Sequence, residues 1–164
     1  MSDFATSLAW VLNFEDPMHQ YATVPDAPPG AFAIAGVNSA AWPKDFATIN
    51  ALVPEWRAGA VAQFYREEFW NQWLEQIISD DVAKRVFDAS VNMGSRVAVR
   101  LLQQSAGCAV DGEWGPITVE TVNASPVMLV DNFIVNRCQH YRDIVAKNPA
   151  DQKYLTGWLA RANA

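Results

Sequence analysis

Cysteine is scarce in this chain: only Cys108 and Cys138 are present. Their separation forms neither a disulfide framework nor a zinc-binding spacing, so both are expected as buried thiols. The two histidines, His19 and His140, have no partner at a metal-like spacing, and no metal or cofactor is called for. Cys138 and His140 fall on different faces of a helix, which argues against a nucleophilic pair. No serine sits in a Gly-x-Ser-x-Gly turn, and no glycine-rich loop is built to cradle phosphate. No apolar run approaches the roughly 20 residues that span a bilayer. Residues 1 to 15 carry neither a basic segment nor a small-residue cleavage site, so no secretory signal is expected and synthesis in the cytoplasm is the default. Basic residues are also few, 12 against 18 acidic ones, giving a net charge of -6. That balance argues against a nucleic-acid partner and gives no broad attraction to anionic surfaces.

The 164 residues, 51% of them hydrophobic, suffice for one compact domain with a sizeable core over 1–164. Within it, residues 1–54 form one subregion, rich in loop, and residues 55–164 a helical one. Phe4, Leu8, Val11 and Leu12 follow helical spacing and predict a first helix over 4–15. Asp16-Pro17 follows at once, and proline disfavours helical geometry just before it, so the helix stops there. Glu15 would therefore stand at a helix C-terminus facing a polar loop. Unsatisfied carbonyls there repel negative charge, and Leu12 and Phe14 would desolvate the side chain. Both effects favour a protonated carboxyl, the form a general acid needs. The plainer reading of the same position is a solvated glutamate at a frayed helix end.

Residues 17 to 43 hold most of the prolines with Gly30 and Gly36, which predicts an irregular loop or short β-hairpin lining a site. Beyond it, the pattern predicts a short helix over 44–52 and a long one over 55–78, the latter with Val61, Phe64, Tyr65, Phe69, Trp73 and Ile77 near one face. Trp56 and Trp70 offer flat rings for sugar stacking, although core filling is the commoner role. Asp81 is expected to cap a helix over 82–93, with a further helix from Gly94-Ser95 to Ser105. Asp111-Gly112 forms a turn, and Pro116 opens another helix at its first position. Val127, Val130, Phe133, Ile134, Cys138, Tyr141 and Val145 mark a long amphipathic helix. Tyr154, Leu155, Trp158 and Leu159 mark the last one. The expected class is all-α, a lysozyme-like helical domain with an irregular loop or hairpin after the first helix.

The order of these pieces resembles the glycoside hydrolase family 108 muramidases, often found as phage endolysins. The N-terminal pattern F-x-x-x-L-x-x-V-L-x-x-E is carried by Phe4, Leu8, Val11, Leu12 and Glu15, followed by Tyr21, Asp26, Gly30 and Gly36-Val37. Farther on come Phe64-Tyr65 to Trp70, Phe87-Asp88 to Asn92-Met93-Gly94, and Leu101-Leu102-Gln103. Asp111-Gly112 with Gly115-Pro116-Ile117-Thr118, and Gly157-Trp158-Leu159-Ala160-Arg161, complete the set. The resemblance implies hydrolysis of the bond between N-acetylmuramic acid and N-acetylglucosamine in peptidoglycan. Glu15 would be the general acid and Asp26 the second carboxylate, with Asp16 in reserve. Tyr21, Asp88 and Asn92 would bind substrate; Asn92 beside Gly94 also fits a plain helix cap.

The loop departs from the family pattern. Asp16-Pro17 stands where paired glycines follow the glutamate, and Glu15 and Asp26 lie two residues farther apart than their family counterparts. Ala31-Phe32-Ala33 occupies the place of a threonine whose hydroxyl would orient water. These departures support a second reading, a catalytically impaired wall-binding or assembly protein of the same fold. A third is a helical interaction module without a sugar ligand. The expected partner is the peptidoglycan glycan strand, with no integral membrane segment; oligomeric state is not encoded in any pattern here.

Overall fold

The computed structural model describes residues 2–124 and 128–164. It forms two compact units, one of residues 3–71 and the other of residues 1–2 with 72–164. The helix that begins at Pro54 lies within the first of these units.

In the first unit, α1 (Phe4–Glu15) is capped by Asp3, whose carboxylate accepts from the Ala5 and Thr6 amides. It stops at Asp16 as the proline predicts, with the Asp16 amide closing on Leu12 O at 2.8 Å. The loop region folds as three short antiparallel strands in the order β1 (Thr23–Asp26), β2 (Ala31–Ile34) and β3 (Val37–Asn38). Their register sets Asp26 opposite Ala31, and Ala33 opposite both Val24 and Asn38. β1 is exposed throughout, whereas Ala31, Ala33, Ile34 and Val37 are buried. α2 (Pro43–Asn50) packs on β2 and β3, and α3 (Pro54–Glu68) packs on α1 and α2.

The long helix expected over 55–78 is broken. α3 ends at Glu68, and the Phe69 and Trp70 amides both close on Tyr65 O at 3.2 Å. The aromatic side chains drive the break: Phe69 sets its ring against those of Trp42 and Phe64, and buried Trp70 meets Phe4 edge to face at 5.5 Å. Helical periodicity carried through this segment, but packing of two adjacent aromatics overrode it.

The second unit resumes with the one-turn α4 (Gln72–Glu75), then α5 (Asp80–Met93), α6 (Ser95–Ala106), α7 (Pro116–Ala124), α8 (Leu129–Lys147), a 3-10 turn at Pro149–Asp151, and α9 (Gln152–Asn163). Ser79, rather than Asp81, caps α5. Its hydroxyl accepts from the Val82 amide, while Asp81 sits in the first turn and pairs with Lys84 at 2.6 Å. α5 packs on α6, and α8 packs on both α6 and α9. Val127, assigned above to the amphipathic helix, lies outside the described residues.

Buried Gln103 explains the Leu-Leu-Gln and Asp-Gly segments together. Its Nε2 reaches Asp111 Oδ1 (2.7 Å), Glu113 O (3.0 Å) and Thr118 Oγ1 (3.1 Å), and its Oε1 accepts from the Gly112 amide (2.9 Å). Gly112 has φ +80°, and a Cβ there would strike the Arg96 and Arg100 side chains, so the turn needs glycine. Both cysteines are free thiols, Cys138 buried and Cys108 half-buried.

Candidate active site

Glu15 is half-buried at the last position of α1. Its neighbour from the sheet is the β2–β3 turn, Ala35-Gly36. Both residues take positive φ, +46° for Ala35 and +82° for Gly36, a conformation that costs a non-glycine residue energy unless its surroundings hold it. Tyr65 of α3 does the holding: only 1% exposed, it donates its hydroxyl to Ala35 O at 2.9 Å. A Cβ on Gly36 would overlap that hydroxyl and come within 2.8 Å of Glu15 Oε2. The acid and the tyrosine hydroxyl therefore both lie against the bare Cα of Gly36, and the missing side chain is what lets the carboxyl lie there.

Asp26, exposed at the end of β1, is held from the same hairpin. Asn38 of β3 donates from Nδ2 to Asp26 Oδ2 at 2.7 Å and to Ala27 O at 2.8 Å, and the Ala27 amide donates to Asp26 Oδ1 at 2.8 Å. Gly36 and Asn38 are two residues apart, about 7 Å of strand. One short segment thus contacts the expected acid at its turn and the expected second carboxylate just beyond it. Sequence reasoning did not single out Asn38, and it placed Tyr65 on a packing face and in a family segment without a part in the site. The cue for Asn38 was its place before Ser39-Ala40-Ala41 and a helix opened by Pro43, where an asparagine side chain folds back on following amides.

The loop between Glu15 and β1 is pinned at its ends. Asp16 Oδ2 accepts from the Tyr21 amide at 2.7 Å, so the residue standing at the family's glycine position serves as a loop clasp. His19 and Tyr21 both adopt positive φ inside that clasp. Arg57 closes it from α3, donating to Tyr21 O (2.9 Å), Leu52 O (3.1 Å) and Asn50 O (3.2 Å). Tyr21 is half-exposed; partial burial first, and the Asp16 charge second, push its phenol above the usual value.

The other two expected binding residues belong to the second unit. Asp88 is 0% exposed, with Arg137 Nη1 2.7 Å from Oδ2 and Arg161 Nη2 2.8 Å from Oδ1. It offers no atom to a ligand in solution, so the expectation of an Asp88–sugar contact is replaced by that of an internal anchor for α5, α8 and α9. Asn92 is half-buried and accepts the Tyr141 hydroxyl, a partner that sequence spacing could not reveal. Arg137, itself 2% exposed, donates from Nε to Tyr141 Oη, and its Nη2 has no hydrogen-bond partner among the described residues. Of the two tryptophans considered for sugar stacking, Trp70 is buried and Trp56 is 71% exposed. Among the described residues no cluster of histidine, cysteine and carboxylate side chains is arranged to hold a metal ion, and no helix is long and apolar enough to cross a membrane.

Residues 10–94 match the family model described as Glycosyl hydrolase 108. Residues 97–163 match the model described as Predicted Peptidoglycan domain. Among solved structures, that of Brucella abortus SagA is similar, with 21% identity, a TM-score of 0.67, and coverage of 97% of this chain and 92% of that one. At this identity the likeness speaks for the fold alone, a lysozyme-like, mostly helical architecture with a small sheet. No curated protein matches the chain.

Proposed function

The chain belongs to the glycosyl hydrolase 108 family, and from that premise we propose that it is a peptidoglycan muramidase cleaving the β-1,4 bond between N-acetylmuramic acid and N-acetylglucosamine. The two family matches together support a peptidoglycan-related glycosidase. The finer reading rests on one observation: Glu15 lies against the bare Cα of Gly36, on the same hairpin whose Asn38 holds Asp26. Glu15 protonates the leaving oxygen. As the bond to the anomeric carbon breaks, positive charge grows on the sugar ring, and Asp26 stabilises it or activates the incoming water. Tyr21, its phenol pushed above the usual value by partial burial, hydrogen-bonds the glycan from the clasped loop. The protein reaches its substrate after release from the cell or by a separate export route.

The second reading, a wall-binding protein without turnover, is favoured by Asp16-Pro17 at the glycine positions and by Ala31-Phe32-Ala33 where the family threonine falls. One experiment separates the two. Wild type and Glu15→Gln are incubated with purified sacculi, and both pelleted protein and released muropeptides are measured. New reducing muramic ends that vanish in Glu15→Gln carry the muramidase reading. Anhydro ends would indicate transglycosylation through the substrate's own hydroxyl. Cosedimentation with no released fragment would replace the enzyme reading with the binding one.

A further inference from the structure

We propose that Asn38 is the positioning residue for Asp26, fixing the direction of this carboxylate. The proposal rests on the muramidase reading and adds to it a residue that the family pattern quoted above does not contain.

An exposed aspartate at a strand end would ordinarily sample several rotamers. Here each carboxylate oxygen has one directed donor, the Ala27 amide on Oδ1 and Asn38 Nδ2 on Oδ2, at 2.8 and 2.7 Å. Asn38 is itself immobilised. Its Nδ2 also donates to Ala27 O, and its Oδ1 accepts from the Ala40 and Ala41 amides at 2.8 and 3.2 Å. The amide orientation is thereby unique: turning it over would set its carbonyl against a carboxylate and its NH2 against two N–H donors, losing every one of these bonds. β3 pairing fixes the backbone beneath it, with Asn38 opposite Ala33. Both donors to Asp26 are neutral, and no cation pairs with this carboxylate among the described residues. Its negative charge is consequently oriented without being neutralised, as a group meant to face a developing cation requires.

The test is a double-mutant cycle on soluble glycan strands. Asn38→Ala should lower kcat on the order of 10²-fold by misplacing the carboxylate, with KM held within about twofold. In an Asp26→Asn background the same change should cost almost nothing further, because Asn38 acts through Asp26. Additive losses, or a loss confined to KM, overturn the proposal.

Asn38→Asp reads the pairing without turnover. It keeps the acceptor for the Ala40 and Ala41 amides, hence the turn, but sets a second carboxylate against Asp26. Two carboxylates so close resist ionising together, so one macroscopic pKa of the pair rises above the ordinary carboxylate range. A folded-state pKa raised above the unfolded value means stability that is lost as pH rises through it. Denaturant melts across pH 4 to 8 should show that decline in Asn38→Asp and not in wild type; parallel curves overturn the proposal. Absence of turnover by wild type would instead remove the muramidase reading, while the melts still decide whether Asn38 and Asp26 are paired.

Discussion

Gly36 is the position where a single hydrogen matters most. Its φ of +82° disfavours any side chain, and a Cβ would enter the space held by the Tyr65 hydroxyl and Glu15 Oε2. Gly36→Ala should therefore cost about 1–3 kcal/mol of stability and, by pushing the acid aside, on the order of 10²-fold in turnover. Thermal melts and muropeptide release read the two effects separately. Asp111 carries a prediction of another kind. The Glu113 amide, and then the Gln103 side chain, hold its carboxyl below the ordinary carboxylate value. A depressed folded-state pKa contributes stability that is present above the unfolded value and lost as pH falls through the folded one. Asp111→Asn retains the accepting oxygen but not the charge, so its melts should lose less stability than wild type below about pH 4. At this scale the sequence nominated Glu15 and Asp26 as candidates and announced the Asp-Gly turn. It did not announce the roles of Asn38, Tyr65 or Arg57, which depend on partners that only the folded hairpin and α3 bring near.

The helices were legible wherever local chemistry ends them. α1 stops at the residue before Asp16-Pro17, α2, α3 and α7 each open on a proline, and α6 starts after Gly94. The break after Glu68 was not, because Phe69 and Trp70 continue a helical pattern and leave it only to pack against Trp42, Phe64 and Phe4. Asp88 shows the same limit. On a helix drawn from sequence it is a polar residue four positions before Asn92, with no hint of the arginines that α8 and α9 supply. Those arginines make a prediction about the three helices. Asp88→Ala leaves Arg137 charged, buried and unpaired, and should cost about 3–5 kcal/mol. Asp88→Leu combined with Arg137→Met should fold with smaller loss, since it removes the fully buried arginine together with its acid and deprives only Arg161, which keeps some exposure, of this carboxylate. Chemical denaturation of the single and double variants distinguishes the two cases. If the double variant proved as unstable as Asp88→Ala, the ion pair would be more than a packing anchor.

At the scale of the whole chain, sequence family and packing divide the residues differently. The glycosyl hydrolase match runs to residue 94, yet α4 and α5 belong to the same compact unit as the peptidoglycan-domain match. The sequence could not reveal this, because the apolar face of α5 shows that it is buried and not against which partner. Helical class and the small sheet were readable from periodicity and from the proline-rich insert. Charge sets the last prediction. A protein of net charge -6 acting on a polyanionic wall meets like-charge repulsion that added salt screens. Muropeptide release from teichoic-acid-rich sacculi should therefore rise as ionic strength goes from about 0.01 to 0.15 M. A steep fall over that range would instead indicate a local basic contact with the wall.

Tyr65 reaches back across thirty positions to grip the Ala35 carbonyl, which puts a timing constraint on the molecule as it is made. A nascent chain that ends before residue 65 lacks the hydroxyl that holds the hairpin tip in the folded protein. Only after α3 has been synthesised and docked does that support arrive. Translation must run well past both carboxylates before the acid gains its seat.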